Sequence, residues 1–185
     1  MMKKSLCYSA ITLAVTFVIG ELLLFLFPEG NAIGSSIWFI CHGQSCRGGL
    51  EECGWRWYLQ PKLDIKSYIL KMFLISIVWF LWHIPIYRLP WITAGSSNYL
   101  IFYLMILGNT FMFGAIKEYS KGVLPCVIAH ILIDSLAAAM LVGSNIIKIG
   151  ILVGFEVIIS IFCVIVRKEN NSKIRRRTLD ICKTL

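Results

Sequence analysis

The sequence predicts an all-α protein, a polytopic bundle of about six transmembrane helices with a polar site between them. Hydrophobic residues make up 58% of the 185 residues, and the mean hydropathy is +0.76. Charged residues make up 15%, whereas an ordinary soluble domain carries about 25%. Five apolar segments are long enough to cross a bilayer, which takes roughly 20 helical residues. These three observations together exclude an ordinary soluble domain.

The predicted spans follow one another along the chain, and the first of them begins after two lysines near the N-terminus. This first apolar run is longer than the core of a cleaved signal peptide, which has about 7 to 15 residues. We therefore expect it to be retained as a span. The predicted spans are Leu6–Phe27, Ile69–Tyr87, Tyr99–Ile116, Val123–Val142 and Ile149–Val166.

Basic residues predict the orientation of the bundle. Seven of the 18 Lys and Arg residues follow Val166, so residues 167–185 form a basic tail. Cytoplasmic segments are enriched in Lys and Arg, which places this tail, Lys3 and Lys4 in the cytoplasm. We predict a multi-pass protein of the cell membrane with both termini cytoplasmic and the tail against anionic lipid. No nucleic acid partner is expected, because no binding motif accompanies the charge. The sequence does not indicate the oligomeric state.

A sixth crossing follows from the parity of the spans. Two cytoplasmic termini require an even number of crossings, and only five segments are apolar enough. The missing crossing must lie between Phe27 and Lys62, a stretch too polar to face lipid. Polar segments at membrane depth are tolerated only against protein or a watery cavity, and ionisable residues there are functional candidates. This reasoning singles out Glu51, Glu52 and Arg56.

Three ionisable residues from three predicted helices share one depth. At about 1.5 Å per helical residue, Glu51, His83 and His130 fall within about 5 Å of one level. Taken alone, each histidine is compatible with a structural role, as an interface anchor or as an interhelical hydrogen-bonding residue. Together with the glutamate they favour a catalytic site, in which Glu51 is a candidate general base for a water.

Residue spacing indicates how these side chains point. Arg56 follows Glu52 by four residues, and Asp134 follows His130 by four, so each pair shares a helix face. The first pair is also compatible with a simple interfacial ion pair. Glu51 is rotated by about 100° from Glu52, so the two carboxylates are expected to point apart.

The same residues carry a resemblance to a known family. Glu51-Glu-Cys-Gly-Trp-Arg56 matches the motif EExxxR, and His83 follows the aromatic Trp79 by four residues. His130-Ile-Leu-Ile-Asp134 matches HxxxN or HxxxD. In this order the motifs resemble those of the CPBP intramembrane proteases, the CAAX-protease and bacteriocin-processing group also called Abi. The motif core covers residues 48–141 of a protease domain predicted for residues 1–166.

The resemblance implies an intramembrane endopeptidase. Glu51 would activate water, His83 would assist it, and His130 would polarise the scissile carbonyl or hold the water. Asp134 stands where the family more often has Asn, a residue associated with the oxyanion. The substrate would be a CAAX-type prenylated C-terminus or a bacteriocin or other peptide precursor, and the small size of the chain favours the bacteriocin class.

The resemblance also implies supporting residues and leaves the cofactor open. Glu52 and Arg56 would support the site. One Glu and two His suit a catalytic zinc with an open position, so Glu51, His83 and His130 are candidate metal ligands. The resemblance is equally compatible with a glutamate protease that uses no metal.

Two functions of other kinds remain open from the sequence. A catalytically inactive member would be a bacteriocin self-immunity protein or a membrane scaffold that binds a partner through the same cavity. A small transporter would use Glu51 and the histidines as a proton relay. The transporter predicts an internal repeat, and the sequence contains none.

Overall fold

The computed structural model describes residues 49–85, 98–120, 122–139 and 145–184, with side chains described up to Asp134 in the fourth helix and Lys173 in the fifth. Every element in these ranges is helical, which confirms the all-α class. In chain order the elements are α1 (the π-helical turn Cys53–Leu59 continued by Gln60–Lys62), α2 (Tyr68–His83), α3 (Tyr99–Ser120), α4 (Leu124–Ala139) and α5 (Ile146–Thr184). The described residues thus form five helices, and the predicted span Leu6–Phe27 lies outside them.

Polar caps and a proline determine where the helices begin and end. The side chains of Ser67, Asn98 and Asn145 accept hydrogen bonds from backbone N–H groups two or three residues later, at the starts of α2, α3 and α5. The second helix ends at His83, because Pro85 has no N–H group and cannot continue the hydrogen-bonding pattern of a helix.

Two of the described helices are long and apolar enough to cross a membrane, namely α3 and the Ile146–Lys173 part of α5. The apolar helix α2 and the Leu124–Asp134 part of α4 are shorter. The last helix continues beyond the predicted end of the span at Val166 and runs through the basic segment to Thr184. The orientation of the termini and the lipid contact of the tail stay predictions.

The central helix of the described bundle is α3, which packs along α5 and α2 and also contacts α4. Apolar burial between helices contributes little in lipid, so close backbone approach is what holds membrane helices together. Two glycines of α3 permit that approach. A side chain at Gly114 would collide with Met72 of α2, and one at Gly108 would collide with Glu156 of α5.

A third glycine, Gly49, lets the segment before α1 pack closely against α4. A Cβ atom at Gly49 would lie 2.8 Å from Ile131 Cγ1 and 3.0 Å from Val127 Cγ1, both on α4. Real Cβ atoms essentially never come as close as the first of these distances, so only glycine allows the chain to approach α4 here. Glu52, three residues later, is thereby brought within reach of α4.

Candidate active site

Glu51 lies in the helical turn that precedes the π-helical part of α1, and two indoles hold one of its carboxylate oxygens. Oε2 accepts hydrogen bonds from Trp79 Nε1 at 2.8 Å and from Trp55 Nε1 at 3.3 Å. Oε1 faces His83 Nε2 at 3.9 Å. The side chain is 26% exposed, so the carboxylate is partly accessible.

His83, the last residue of α2, is oriented by the backbone of its own helix. Its Nδ1 lies 2.9 Å from the carbonyl oxygen of Trp79. A carbonyl oxygen only accepts, so Nδ1 carries the hydrogen, and the neutral ring presents a lone pair at Nε2. The gap from Nε2 to Glu51 Oε1 is too long for a direct hydrogen bond and suits a bridging water. Two acceptors therefore face one point where a water can donate both of its hydrogens.

A second group of side chains forms a line of alternating charge from α1 to α4. Glu52 accepts from Arg56 Nε at 3.0 Å through Oε2, and its Oε1 lies 2.9 Å from His130 Nδ1. His130 Nε2 lies 3.2 Å from Asp134 Oδ2. When both carboxylates are ionised, only a doubly protonated imidazolium can donate to each of them. The four charges then alternate and cancel, which is what burial of charged groups requires.

Burial differs along this line of charges. Glu52 and Arg56 are fully buried, and His130 is 5% exposed, whereas Asp134 is 29% exposed. The Arg56 guanidinium also lies over the Trp79 ring at 5.7 Å and over the Phe113 ring at 5.9 Å, a cation–π arrangement. Asp134 is therefore the one member with room to move.

The structure brings the six predicted residues together as two adjoining groups around one tryptophan. The Trp79 ring lies 6.1 Å from the His83 ring and 5.4 Å from the His130 ring. Both histidines therefore lie beside the tryptophan that donates to Glu51, and the shared membrane depth of the three residues stays a prediction. The two adjacent carboxylates do point apart, because Glu51 faces α2 whereas Glu52 faces His130 on α4.

The predicted zinc ligands do not form one donor set. In the parts of the chain that the structure describes, no group of three His, Cys, Asp or Glu side chains is placed to hold a metal ion. Both nitrogens of His130 contact carboxylates, Nδ1 that of Glu52 and Nε2 that of Asp134. The residues in this arrangement do not fit zinc, and metal dependence stays a prediction.

The indole donors are what sequence reasoning missed. Trp79 entered only as the aromatic residue of a motif, and Trp55 had no role. Trp79 is 2% exposed, whereas Trp82, three residues later, is 62% exposed. The signal for Trp55 was its spacing of four residues after Glu51, the spacing that also pairs side chains along a helix face.

Comparison with known proteins identifies the family of this chain. A family model described as type II CAAX prenyl endopeptidase, Rce1-like, matches residues 33–136, more than half of the chain, and the match includes all six site residues. No curated protein and no solved structure gives a match. The matched family is one of membrane-embedded endopeptidases of the CAAX type, in agreement with the resemblance carried by the three motifs. This chain belongs to the Rce1-like family of type II CAAX prenyl endopeptidases.

Proposed function

We propose that this protein is an intramembrane endopeptidase that hydrolyses a peptide bond of a membrane-associated substrate, with Glu51 as the base. The observation that carries the proposal is the pair of acceptors, Glu51 Oε1 and His83 Nε2, separated by 3.9 Å. The family description supports a prenylated C-terminus as the substrate. A bacteriocin or other peptide precursor is the second substrate class.

The acceptor pair supports activation of a water. The water donates one hydrogen to Glu51 Oε1 and the other to His83 Nε2, which leaves an oxygen lone pair free to attack a carbonyl carbon. As the C–O bond forms, Glu51 takes the proton, and it returns that proton to the leaving amine when the C–N bond breaks. The indoles of Trp79 and Trp55 keep Oε2 occupied, so Oε1 is the oxygen that serves as the base.

His130 is the donor that best suits the developing oxyanion. Oxyanion stabilisation needs N–H groups directed at the oxygen, and an ionised Asp134 can only accept. The Nε2–H group of His130 contacts Asp134 Oδ2 at 3.2 Å, and the partly exposed carboxylate can turn away when substrate binds. Glu52, 2.9 Å from Nδ1, holds the imidazolium in place. In this mechanism Asp134 is the resting partner of His130 and Arg56 keeps Glu52 oriented.

The test of the function is cleavage in a lipid bilayer. Purified protein in liposomes is incubated with a farnesylated peptide that ends in a CAAX sequence, with the same peptide lacking the farnesyl group, and with a leader-type precursor. We expect release of the residues that follow the prenylated cysteine, detected by mass spectrometry. Cleavage of the precursor alone would move the proposal to the second substrate class. If the peptide is cleaved at the same rate in liposomes without the protein, the cleavage does not come from this protein and the proposal is not supported.

A non-enzymatic alternative rests on one observation, that carboxylates contact both nitrogens of His130. If Asp134 never releases Nε2, the oxyanion has no donor, and the same residues act as a bacteriocin self-immunity protein or a membrane scaffold. The two functions differ in their need for a base. An immunity or scaffold function survives Glu51→Gln, whereas cleavage does not.

The positioning role of Trp79 gives a prediction for the kinetics. Trp79→Phe keeps an aromatic ring and the backbone carbonyl that orients His83, but it removes the 2.8 Å hydrogen bond to Glu51 Oε2. Because a hydrogen bond to a charged group contributes about 1.5–3 kcal/mol, we expect kcat to fall by about tenfold or more with KM almost unchanged. Steady-state kinetics on the peptide measures both.

Trp55→Phe is the matched comparison, because its bond to the same oxygen is longer, at 3.3 Å. We expect a smaller decrease of kcat in this variant. A Trp79→Phe enzyme with wild-type kcat, or one in which only KM changes, would contradict the positioning role.

A further inference from the structure

The imidazole of His83 must hold one orientation for the acceptor pair to exist. Its Nδ1 lies 2.9 Å from the carbonyl oxygen of Trp79, and this bond directs Nε2 to Glu51 Oε1 at 3.9 Å. His83 is the last residue of α2, and its side chain is 18% exposed. A hydrogen bond contributes only modestly where water competes for the same groups. One bond to the backbone is therefore a weak restraint on this ring.

A second restraint on the imidazole comes from α3. The ring of Phe102 packs T-shaped against the ring of His83, with the centroids 5.3 Å apart and an interplanar angle of 69°. Aromatic rings prefer this arrangement, because the positive edge of one ring faces the negative face of the other. The Trp79 ring also lies near the imidazole, at 6.1 Å, but it belongs to the same helix as His83. Phe102 therefore ties the imidazole to a neighbouring helix.

The ring of Phe102 is itself held in place by both helices. Its backbone N–H donates to the carbonyl oxygen of Asn98 at 3.2 Å, in the first turn of α3. Its ring lies 6.1 Å from the ring of Phe80 on α2, and Phe80 packs T-shaped against Tyr103 of α3 at 5.4 Å. The hydroxyl of Tyr103 in turn lies 3.4 Å from Ser76 Oγ on α2. These contacts fix Phe102 between α2 and α3, so its ring can restrain a neighbour.

We propose that Phe102 is a positioning residue for His83. Its ring keeps the imidazole oriented so that Nδ1 donates to Trp79 and Nε2 faces Glu51. Without this ring the imidazole can turn, Nδ1 loses its acceptor, and the tautomer with hydrogen on Nε2 becomes populated. That tautomer presents a donor to Glu51 where the proposed mechanism needs a lone pair. The contribution of Phe102 to cleavage rests on the proposed function, whereas its hold on the imidazole does not.

Solid-state NMR of the intact protein in liposomes, labelled with ¹⁵N at histidine, tests this orientation. The chain has three histidines, and the signals of His83 are identified by their loss in His83→Gln. The ¹⁵N chemical shift distinguishes a protonated ring nitrogen from an unprotonated one. Near neutral pH we expect the single Nδ1–H tautomer in the wild-type protein and a mixture of both tautomers in Phe102→Leu. A mixture in the wild-type protein, or a wild-type pattern in Phe102→Leu, would overturn the proposal.

Phe111 provides the matched control on the same helix. It is 3% exposed and packs against Tyr68 at 5.7 Å, in a separate hydrophobic cluster with Met72 and Ile75. Because Phe102 is only partly buried, the same substitution removes at least as much packing at Phe111. Phe111→Leu should leave the His83 tautomer unchanged, and an equal change in both variants would refute a specific role of Phe102.

Cleavage kinetics connect the orientation of His83 with the reaction. In Phe102→Leu we expect kcat to fall several-fold with KM almost unchanged, because the water loses one of its two acceptors in part of the molecules. A rise in KM at wild-type kcat would mean that Phe102 contacts the substrate, which contradicts the positioning role. If Phe102→Leu does not fold, Phe102→Met, which keeps an apolar side chain without a ring, takes its place in both measurements.

The failure of this proposal can be distinguished from the failure of the proposed function. A wild-type protein that cleaves none of the peptides would count against the peptidase function. The tautomer measurement needs no substrate, so it still decides whether Phe102 orients His83.

Discussion

Glu51→Gln should abolish peptide cleavage and leave the fold intact. The amide has the shape of the carboxylate, and its oxygen can still accept from Trp79 and Trp55, but it cannot take a proton from water. A general base contributes about 10²–10⁴-fold to the rate, so we expect a loss of that size in kcat. The measurements are the cleavage rate in liposomes and the thermal unfolding temperature in detergent, and the second should hardly change.

Glu156→Gln is the matched control for this prediction. Glu156 is also buried, at 4% exposure, but it lies on α5 against Gly108 of α3 and belongs to neither group of the candidate site. The same chemical change there should leave cleavage unaffected. A Glu51→Gln protein that cleaves at the wild-type rate would show that another residue is the base. An equal loss of cleavage rate in Glu51→Gln and Glu156→Gln would indicate that both substitutions act by disturbing the packing of the helices.

Helical spacing made part of this site predictable. The pair Glu52 and Arg56, the pair His130 and Asp134, and the divergence of the two adjacent carboxylates all follow from the period of a helix. Counting residues from the ends of the spans also predicts one depth for Glu51, His83 and His130, which stays a prediction. Each of these inferences uses only the angular position of residues around one helix, or their number along it. Both quantities can be read from the spacing of residues in the sequence.

Contacts between helices were not predictable in the same way. The distance of 2.9 Å between His130 and Glu52 joins residues 78 apart in the chain, and it depends on how α1 and α4 are rotated against each other. Hydropathy also cannot separate a tryptophan in the core, such as Trp79, from one that is exposed, such as Trp82. The close approach at Gly49 sets that rotation, but glycine is used just as readily in turns and at helix ends, where no second helix approaches.

The full burial of Arg56 is the clearest example of a feature that could not be predicted from the sequence. A sequence presents it as a charge near the membrane, and such residues usually reach towards the interface. Here the guanidinium is enclosed by Trp79, Phe113 and Met72, because Glu52 compensates its charge. The burial of Arg56 therefore depends on the burial of Glu52.

This dependence gives the largest expected effect on stability, which is that of Glu52→Leu. Glu52 contacts both Arg56 and His130 at 2.9–3.0 Å, and it is fully buried. Its loss leaves the Arg56 charge without compensation, and removing one partner of a buried ion pair costs about 3–5 kcal/mol. We expect the unfolding temperature to fall steeply, whereas Glu51, which is 26% exposed and 3.9 Å from His83, contributes little to stability.

The double variant Glu52→Leu/Arg56→Met separates lost charge compensation from lost packing. Replacing a buried ion pair by apolar residues of similar volume is often neutral or stabilising, so the second substitution should restore most of the stability that the first removes. Cleavage should not return, because His130 has lost the carboxylate that holds it. If the double variant unfolds as easily as Glu52→Leu alone, the cost comes from the packing of α1 against α4. Stability that returns without activity would mean that Glu52 is retained for its contact with His130, which the fold itself does not need.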